Sequence, residues 1–234
     1  MYDKLIIFSN PRCGSTWAYN TFNLYDNRLK FNKTMPYLYG NEALDHHTTQ
    51  ELVDRVSKFQ YHVAKIHWRH VEDNPECQPY VDLFDRRILL LRRNLFEASL
   101  SLSISLKKNA WGVRKKIDDK PLEIAHEFFD NAVRTQWQNI RKYFRNSERL
   151  GIQDVYWLED YKTDNELWTA VTSTALPDHQ LLPHRKKAFN TMRSPDKQSV
   201  VINYNQVVDW YNTIVPTLGK IHGLGVRGEL IHEI

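Results

Sequence analysis

Leu5-Ile6-Ile7-Phe8-Ser9-Asn10-Pro11-Arg12-Cys13-Gly14-Ser15-Thr16-Trp17 is the stretch on which the fold turns. Four consecutive apolar residues read as a strand covered on both faces. Asn10-Pro11 and Gly14 then punctuate the chain as a tight turn. Ser15 and Thr16 lead into an apolar helical run from Trp17 to Leu24. Strand, glycine turn and helix form the opening unit of an α/β sheet.

Outward from this unit the same alternation recurs. Tyr61–His67 (YHVAKIH) reads as a second strand, and Arg87–Leu91 (RILLL) as a third, with helical spacing from Asn94 to Lys107 directly behind it. Pro121–Phe144 predicts a long amphipathic helix, Asp154–Leu158 (DVYWL) a fourth strand, and Asn205–Leu218 a C-terminal helix bent or broken near Pro216. Strands alternating with helices predict an α/β fold, three-layer α/β/α around a central parallel sheet. No linker and no internal repeat divides the chain, so residues 1–234 read as one domain.

Composition narrows the class. At 41% hydrophobic and 26% charged residues, the chain can build an ordinary core without staples. Its two cysteines, Cys13 and Cys77, make no disulfide framework. No apolar run approaches the roughly 18 residues of a membrane span, and MYDKLIIFSN has no signal-type stretch. A cytoplasmic protein with no membrane span is therefore expected, rather than one anchored in the Golgi membrane. Lys and Arg outnumber Asp and Glu by 32 to 28, which suits an anionic ligand and falls short of a nucleic-acid signature.

Residues 10–17 carry the parts of an oxyanion cradle. Gly14 allows close backbone approach, the following helix start offers free N–H groups, Ser15 and Thr16 add hydroxyls, and Arg12 adds a planar charged fork. A plain strand-to-helix turn with a serine cap would use the same residues. Missing features restrict the chemistry. No Lys follows Gly14, so the GxxxxGK[ST] nucleotide loop is absent, and GxGxxG does not occur. Cys13 heads a helix where a thiolate is favoured, yet the Arg a cysteine phosphatase needs about six residues on is Tyr19 here. A second anion element follows RILLL: Arg93 at the strand end, and Ser101 eight residues later on the next helix.

PRCGSTW at 11–17 and RNLFEASLS at 93–101, taken together and in this order, resemble the sulfotransferases that use 3′-phosphoadenosine-5′-phosphosulfate (PAPS). VYWLEDYKTD at 155–164 is similar to the family's strand ending in an acidic turn. Arg193-Ser194-Pro195-Asp196-Lys197-Gln198, with Asn203 and Trp210, is similar to the nucleotide-closing loop of tyrosylprotein-type members. The R-K-G-x-x-G-D-W loop of the small-molecule cytosolic branch is missing, with only Asp209-Trp210 matching its end.

The resemblance implies a P-loop-like sulfotransferase architecture, PAPS as donor, 3′,5′-bisphosphoadenosine (PAP) as product, and no metal. It places Arg12, Cys13, Gly14, Ser15, Thr16 and Trp17 around the 5′-phosphosulfate, Arg93 and Ser101 on the 3′-phosphate, and Arg193 and Ser194 over the nucleotide. The acceptor, a hydroxyl or amine on a small molecule, carbohydrate or peptide, is left unnamed. For the base that takes the acceptor proton it offers Glu42, in LYGNEALD, and His67, in the K-x-H string Lys65-Ile66-His67. The tyrosylprotein-like features favour Glu42, with His67 a close second and Lys65 beside it. Glu42 could equally cap a helix beginning near Ala43, and His67 could be a structural histidine. His62, His67 and His70 lack the ligand spacing and nearby Cys pair of a zinc site. Lys107, Lys108, Arg114, Lys115 and Lys116 form a basic stretch, a solvated face or a lure for an acidic acceptor. The alternative readings are a divergent nucleotide kinase and a non-catalytic nucleotide- or RNA-binding module.

Overall fold

Strands separated by helix-forming sequence have the long crossovers that parallel pairing requires. A computed structural model of the chain describes residues 4–25, 47–108, 120–174 and 197–219. Its elements run β1 (Lys4–Ser9), α1 (Ser15–Tyr25), α2 (Thr49–Ser57), β2 (His62–His67), α3 (Trp68–Asp73), α4 (Gln78–Val81) and β3 (Arg86–Leu91). There follow α5 (Leu95–Lys107), α6 (His126–Arg145), α7 (Ser147–Leu150), β4 (Asp154–Trp157), α8 (Asp164–Thr172), α9 (Lys197–Val200) and α10 (Tyr204–Ile214). The described residues cluster into two compact units, one drawn from Met1–Leu91 and Asn146–Leu181, the other from Arg92–Arg145 and Leu182–Ile234.

The first unit holds a four-stranded sheet of order β2-β1-β3-β4, every pairing parallel, so the chain is an α/β protein as its alternating pattern predicts. Strand β1 lies inside the sheet, and Leu5, Ile6, Ile7 and Phe8 are fully buried. Each such burial is worth roughly 1.5–3 kcal/mol, which makes β1 the strand around which the unit is organised. Register pairs Ile7 with Lys65 and Ser9 with His67 across β1 and β2. Because side chains alternate along a strand, Lys65 and His67 emerge on one face and His62, Ala64 and Ile66 on the other.

Two helices of this unit carry capping boxes rather than long apolar stripes. At α2 the Glu51 N–H donates to the Thr48 hydroxyl at 3.3 Å, and the Thr48 N–H donates back to the Glu51 carboxylate at 2.9 Å. The Glu51 carboxyl is held below its ordinary range by that backbone bond. Thr163 and Glu166 repeat the device at α8.

In the second unit α5 packs on α6, which buries Phe129, Val133, Trp137, Ile140 and Phe144 at helical spacing. The helix expected from Pro121 begins only at His126. Leu122 is drawn into an isolated parallel bridge with Val201: its N–H donates to Val200 O at 2.9 Å, and the Ile202 N–H donates to its carbonyl at 3.0 Å. The Asn203 amide then bonds both backbone groups of Ile124, at 3.0 and 2.8 Å. These bonds outweigh the helical periodicity of the segment. Helix α10 ends at Ile214 and gives way to a 3-10 turn at Val215–Thr217, the break that Pro216 predicts. Among the described residues no helix is long and apolar enough to cross a membrane.

His62 gives the fold a pH signature. It is 7% exposed, packs its ring 5.9 Å from that of Phe84, and is pushed down to about 4 by burial, with the Lys4 charge adding to the effect. Between pH 6.5 and about 4 the unfolded chain binds a proton at His62 that the native state refuses, so stability falls as pH falls through that window. The limiting slope is about 1.4 kcal/mol per pH unit, and the full loss up to about 3 kcal/mol. Urea denaturation of His62→Phe across pH 7 to 4.5 should show a slope shallower by up to this amount; an unchanged slope would contradict a buried neutral histidine.

Candidate functional site

Strand β1 delivers a fully buried Ser9 and Asn10 into the turn that precedes α1. The Cys13 N–H donates to Asn10 O at 3.4 Å, and the Ala18 N–H closes the first helical turn on Gly14 O at 3.0 Å. Arg12 and Gly14 both have positive φ, +67° and +74°, while Cys13 between them does not. That alternation of sign is the backbone pattern that turns successive N–H groups into a concave anion nest. For Arg12 the left-handed conformation costs about 1–2 kcal/mol, a strain that persists only where the surroundings impose it.

Gly14 is required here for a second reason. A Cβ at this position would lie 2.5 Å from Leu158 Cδ1 and 3.2 Å from Leu158 Cδ2. Leu158 opens the 3-10 turn Leu158–Asp160 behind β4, so the LED string bears on the loop from outside it. The N–H groups of Ser15 and Thr16 precede the first i→i−4 bond and need acceptors from elsewhere. The first turn of α1 contains no acidic residue, so nothing in the helix itself offsets its positive end.

A cation reaches this end from the neighbouring strand. Lys65, 6% exposed, donates from Nζ to Thr16 Oγ1 at 2.8 Å. Two residues on, His67 Nδ1 lies 2.8 Å from Ser9 O and 3.2 Å from Ser9 Oγ. A carbonyl can only accept, so Nδ1 carries the proton and Nε2 keeps its lone pair. Burial, reinforced by the Lys65 charge, pushes His67 down to about 3 against the opposing bond to Ser9 O, so the ring is neutral throughout the physiological range. The His67 N–H donates to His70 Nδ1 at 3.3 Å, closing the start of α3.

Thr16, Lys65, Ser9 and His67 are thus brought together. Ser15 is buried at 5% exposure and Cys13 at 2%, so Cys13 contributes backbone to the turn while its thiol lies inside. Trp17, half-buried, donates its indole N–H to Asp164 Oδ1 at the start of α8. Arg93 and Ser101 belong to the second unit. Arg93, half-buried, precedes the α5 cap Asn94, which accepts the Glu97 N–H at 2.8 Å; Ser101 is buried two turns along the helix. The Glu97 carboxylate is bonded to Lys197 and stands 3.6 Å from Arg92. Glu42, Arg193, Ser194 and the basic residues Arg114, Lys115 and Lys116 lie outside the described residues.

Asp164 and Leu158 are the site neighbours that the sequence reading did not single out. Both lie in the VYWLEDYKTD string, which gave neither an individual role; Asp164 also lies within a T-x-x-E capping string. No family model, no curated protein and no solved structure matches the chain.

Gly14→Ala tests the turn. It should destabilise the protein by the ~1–2 kcal/mol of a left-handed alanine, plus a small increment for displacing the end of the Leu158 side chain. In a Leu158→Ala background the cost should shrink toward the backbone part alone. Urea titration of the four-variant cycle reads this directly; a Gly14→Ala change within about 0.5 kcal/mol of neutral would contradict the geometry.

Proposed function

We propose that the protein is a PAPS-dependent sulfotransferase of three-layer, P-loop-like α/β/α architecture, and that its donor site is the turn at residues 10–17. The observation that carries the reading is the meeting of a lysine, a helix start and a nest-type backbone at one turn. A buried ammonium, Lys65, bonds the hydroxyl of Thr16 at the positive end of α1, and the backbone on either side of Cys13 is bent into an anion nest. Backbone N–H groups at a helix start and in a nest are the donors an oxyanion takes. The motifs PRCGSTW and RNLFEASLS support the particular anion, a nucleotide with a 5′-phosphosulfate and a 3′-phosphate.

PAPS, when bound, supplies an activated sulfuryl group. In-line transfer of that group is dominated by positioning and by stabilisation of charge, as in phosphoryl transfer. In this reading Arg12, Lys65 and the N–H groups of Ser15 and Thr16 hold the anionic oxygens and neutralise charge that grows on the leaving phosphate. Gly14 and Trp17 complete the cradle around the 5′-phosphosulfate. By resemblance alone, Arg93 and Ser101 in the RNLFEASLS motif are assigned to a 3′-phosphate, and Arg193 and Ser194 to the nucleotide cover. The acceptor hydroxyl loses its proton to His67 Nε2, whose tautomer the Ser9 carbonyl fixes. That fixed lone pair is the reason to assign His67, and Glu42 is the competing base.

Two measurements test this. PAP at about 100 times its dissociation constant should stabilise the fold by ~2.7 kcal/mol, seen as a thermal shift exceeding those of ATP and NAD; equal shifts, or none, would contradict the nucleotide assignment. His67→Asn should leave PAP affinity unchanged and lower turnover by roughly 10²–10⁴-fold, with Glu42→Gln milder. Because His67 is pushed down to about 3, kcat should already have completed its His67-dependent rise well below pH 6. A dead Glu42→Gln beside an active His67→Asn would transfer the role of base to Glu42.

A further inference from the structure

Strand β2 passes into α3 with no residue between them. His67, the last residue of the strand, has extended backbone, φ −103° and ψ 159°, and Trp68 already opens the helix. Among the described residues β2 has β1 on one side and no strand on the other. The His67 N–H is taken by a side chain: it donates to Nδ1 of His70 at 3.3 Å. His70 is buried, and the centroids of the two rings are 5.9 Å apart. An imidazole nitrogen accepts only through its lone pair, so His70 is bare at Nδ1, where His67 carries its proton.

His70 is the third residue of α3. A side chain there that reaches back to the residue before the helix is the returning half of a capping box, a place ordinarily filled by Glu or Gln. Elsewhere the chain uses that ordinary residue, Glu51 at α2 and Glu166 at α8. At α3 it uses a histidine, whose acceptor is neutral. The surroundings give the difference its meaning. Among the described residues, the groups that bear on His67 are Lys65 from its own strand, the Ser9 carbonyl from β1 and His70 from α3, and none is an anion. Helix α1, which also packs on β2, brings the Thr16 hydroxyl to Lys65 and has no acidic residue in its first turn. A glutamate at position 70 would satisfy the same N–H and place a carboxylate beside a ring whose strand also carries Lys65.

We infer that His70 is a positioning residue: its neutral Nδ1 fixes the end of β2, and so the His67 ring against Ser9, without setting a negative charge near the lysine of the anion turn. This rests on the reaction proposed above, in which His67 takes the acceptor proton. His70 acts through His67.

The test compares three variants of the full chain by PAP calorimetry, sulfuryl-transfer turnover and the nitrogen NMR resonances of the His67 ring, identified as those missing from His67→Asn. His70→Asn, whose Oδ1 is a neutral acceptor, should match wild type in all three. His70→Leu offers no acceptor. Its turnover should fall roughly 10-fold or more through misplacement of the base, with PAP affinity held within about twofold. Its His67 ring should lose the single Nδ1–H tautomer. His70→Glu keeps the cap and adds a charge. Its thermal stability should equal that of wild type, yet PAP should weaken by roughly 10-fold. On acidification its His67 ring should take up a proton at a pH higher by roughly 1–3 pH units. A residue that only capped α3 would be replaced by glutamate with no loss of PAP affinity and an unmoved ring. That result, or an unchanged ring and turnover in His70→Leu, would overturn the inference. His70→Asn and His70→Glu both keep an acceptor, so their contrast decides the matter even where His70→Leu does not fold. A wild-type chain that binds PAP and transfers to no acceptor would overturn the sulfotransferase reading and the catalytic role of His70 together, while the ring resonances still report whether His70 holds His67.

Discussion

The constraint on which the site depends is electrostatic: a buried lysine is held against the positive end of a helix. Lys65 emerges from β2 at the register position of Ile7 and bonds the hydroxyl of Thr16, one residue into α1. Ammonium and helix terminus are both groups beside which an anion is favoured. The arrangement persists because the surrounding fold leaves little choice. β1 is buried from Leu5 to Ser9, Gly14 takes a positive φ, and α1 packs on β2, so strand, turn and helix are fixed before the charges are considered. In the reading proposed above, these groups are in place before an anion arrives.

His67 shows how the same scaffold holds a neutral imidazole beside that charge. The sheet register that brings Lys65 to Thr16 also brings His67 to Ser9, and the Ser9 carbonyl selects the tautomer. Burial and the lysine together keep the ring unprotonated. One pair of neighbouring strands therefore provides both a resident cation and a proton acceptor with its lone pair on Nε2.

Much of this was legible in the sequence, for identifiable reasons. LIIFS and RILLL are continuous apolar runs, and strands of that kind belong inside parallel sheets; both are found there. Pro216 marked its break because proline carries no N–H to continue a helix. The helices Thr49–Ser57 and Asp164–Thr172 escaped an apolar-periodicity reading because nine residues hold too few repeats. Their T-x-x-E boxes were the usable signal. The start of α6 was misplaced by five residues because the bridge from Leu122 to Val201 is a long-range backbone pairing that no local pattern encodes. In the site, PRCGST marked the turn between β1 and α1, and K-x-H the end of β2. The bond from Lys65 to Thr16 and that from Trp17 to Asp164 join residues far apart in the chain, so only the fold discloses them.

The account stands or falls on whether the anion held beside Lys65 is the donor of a sulfuryl group. Incubation with radiolabelled PAPS and an acceptor library, read by mass spectrometry, is the direct measurement. Label should pass to at least one hydroxyl- or amine-bearing acceptor class with wild-type protein. Lys65→Met, which keeps the length of the side chain and removes its charge, should abolish that transfer while the protein remains folded. Transfer undiminished in Lys65→Met, or tight PAP binding with no labelled product from any acceptor, would contradict the account.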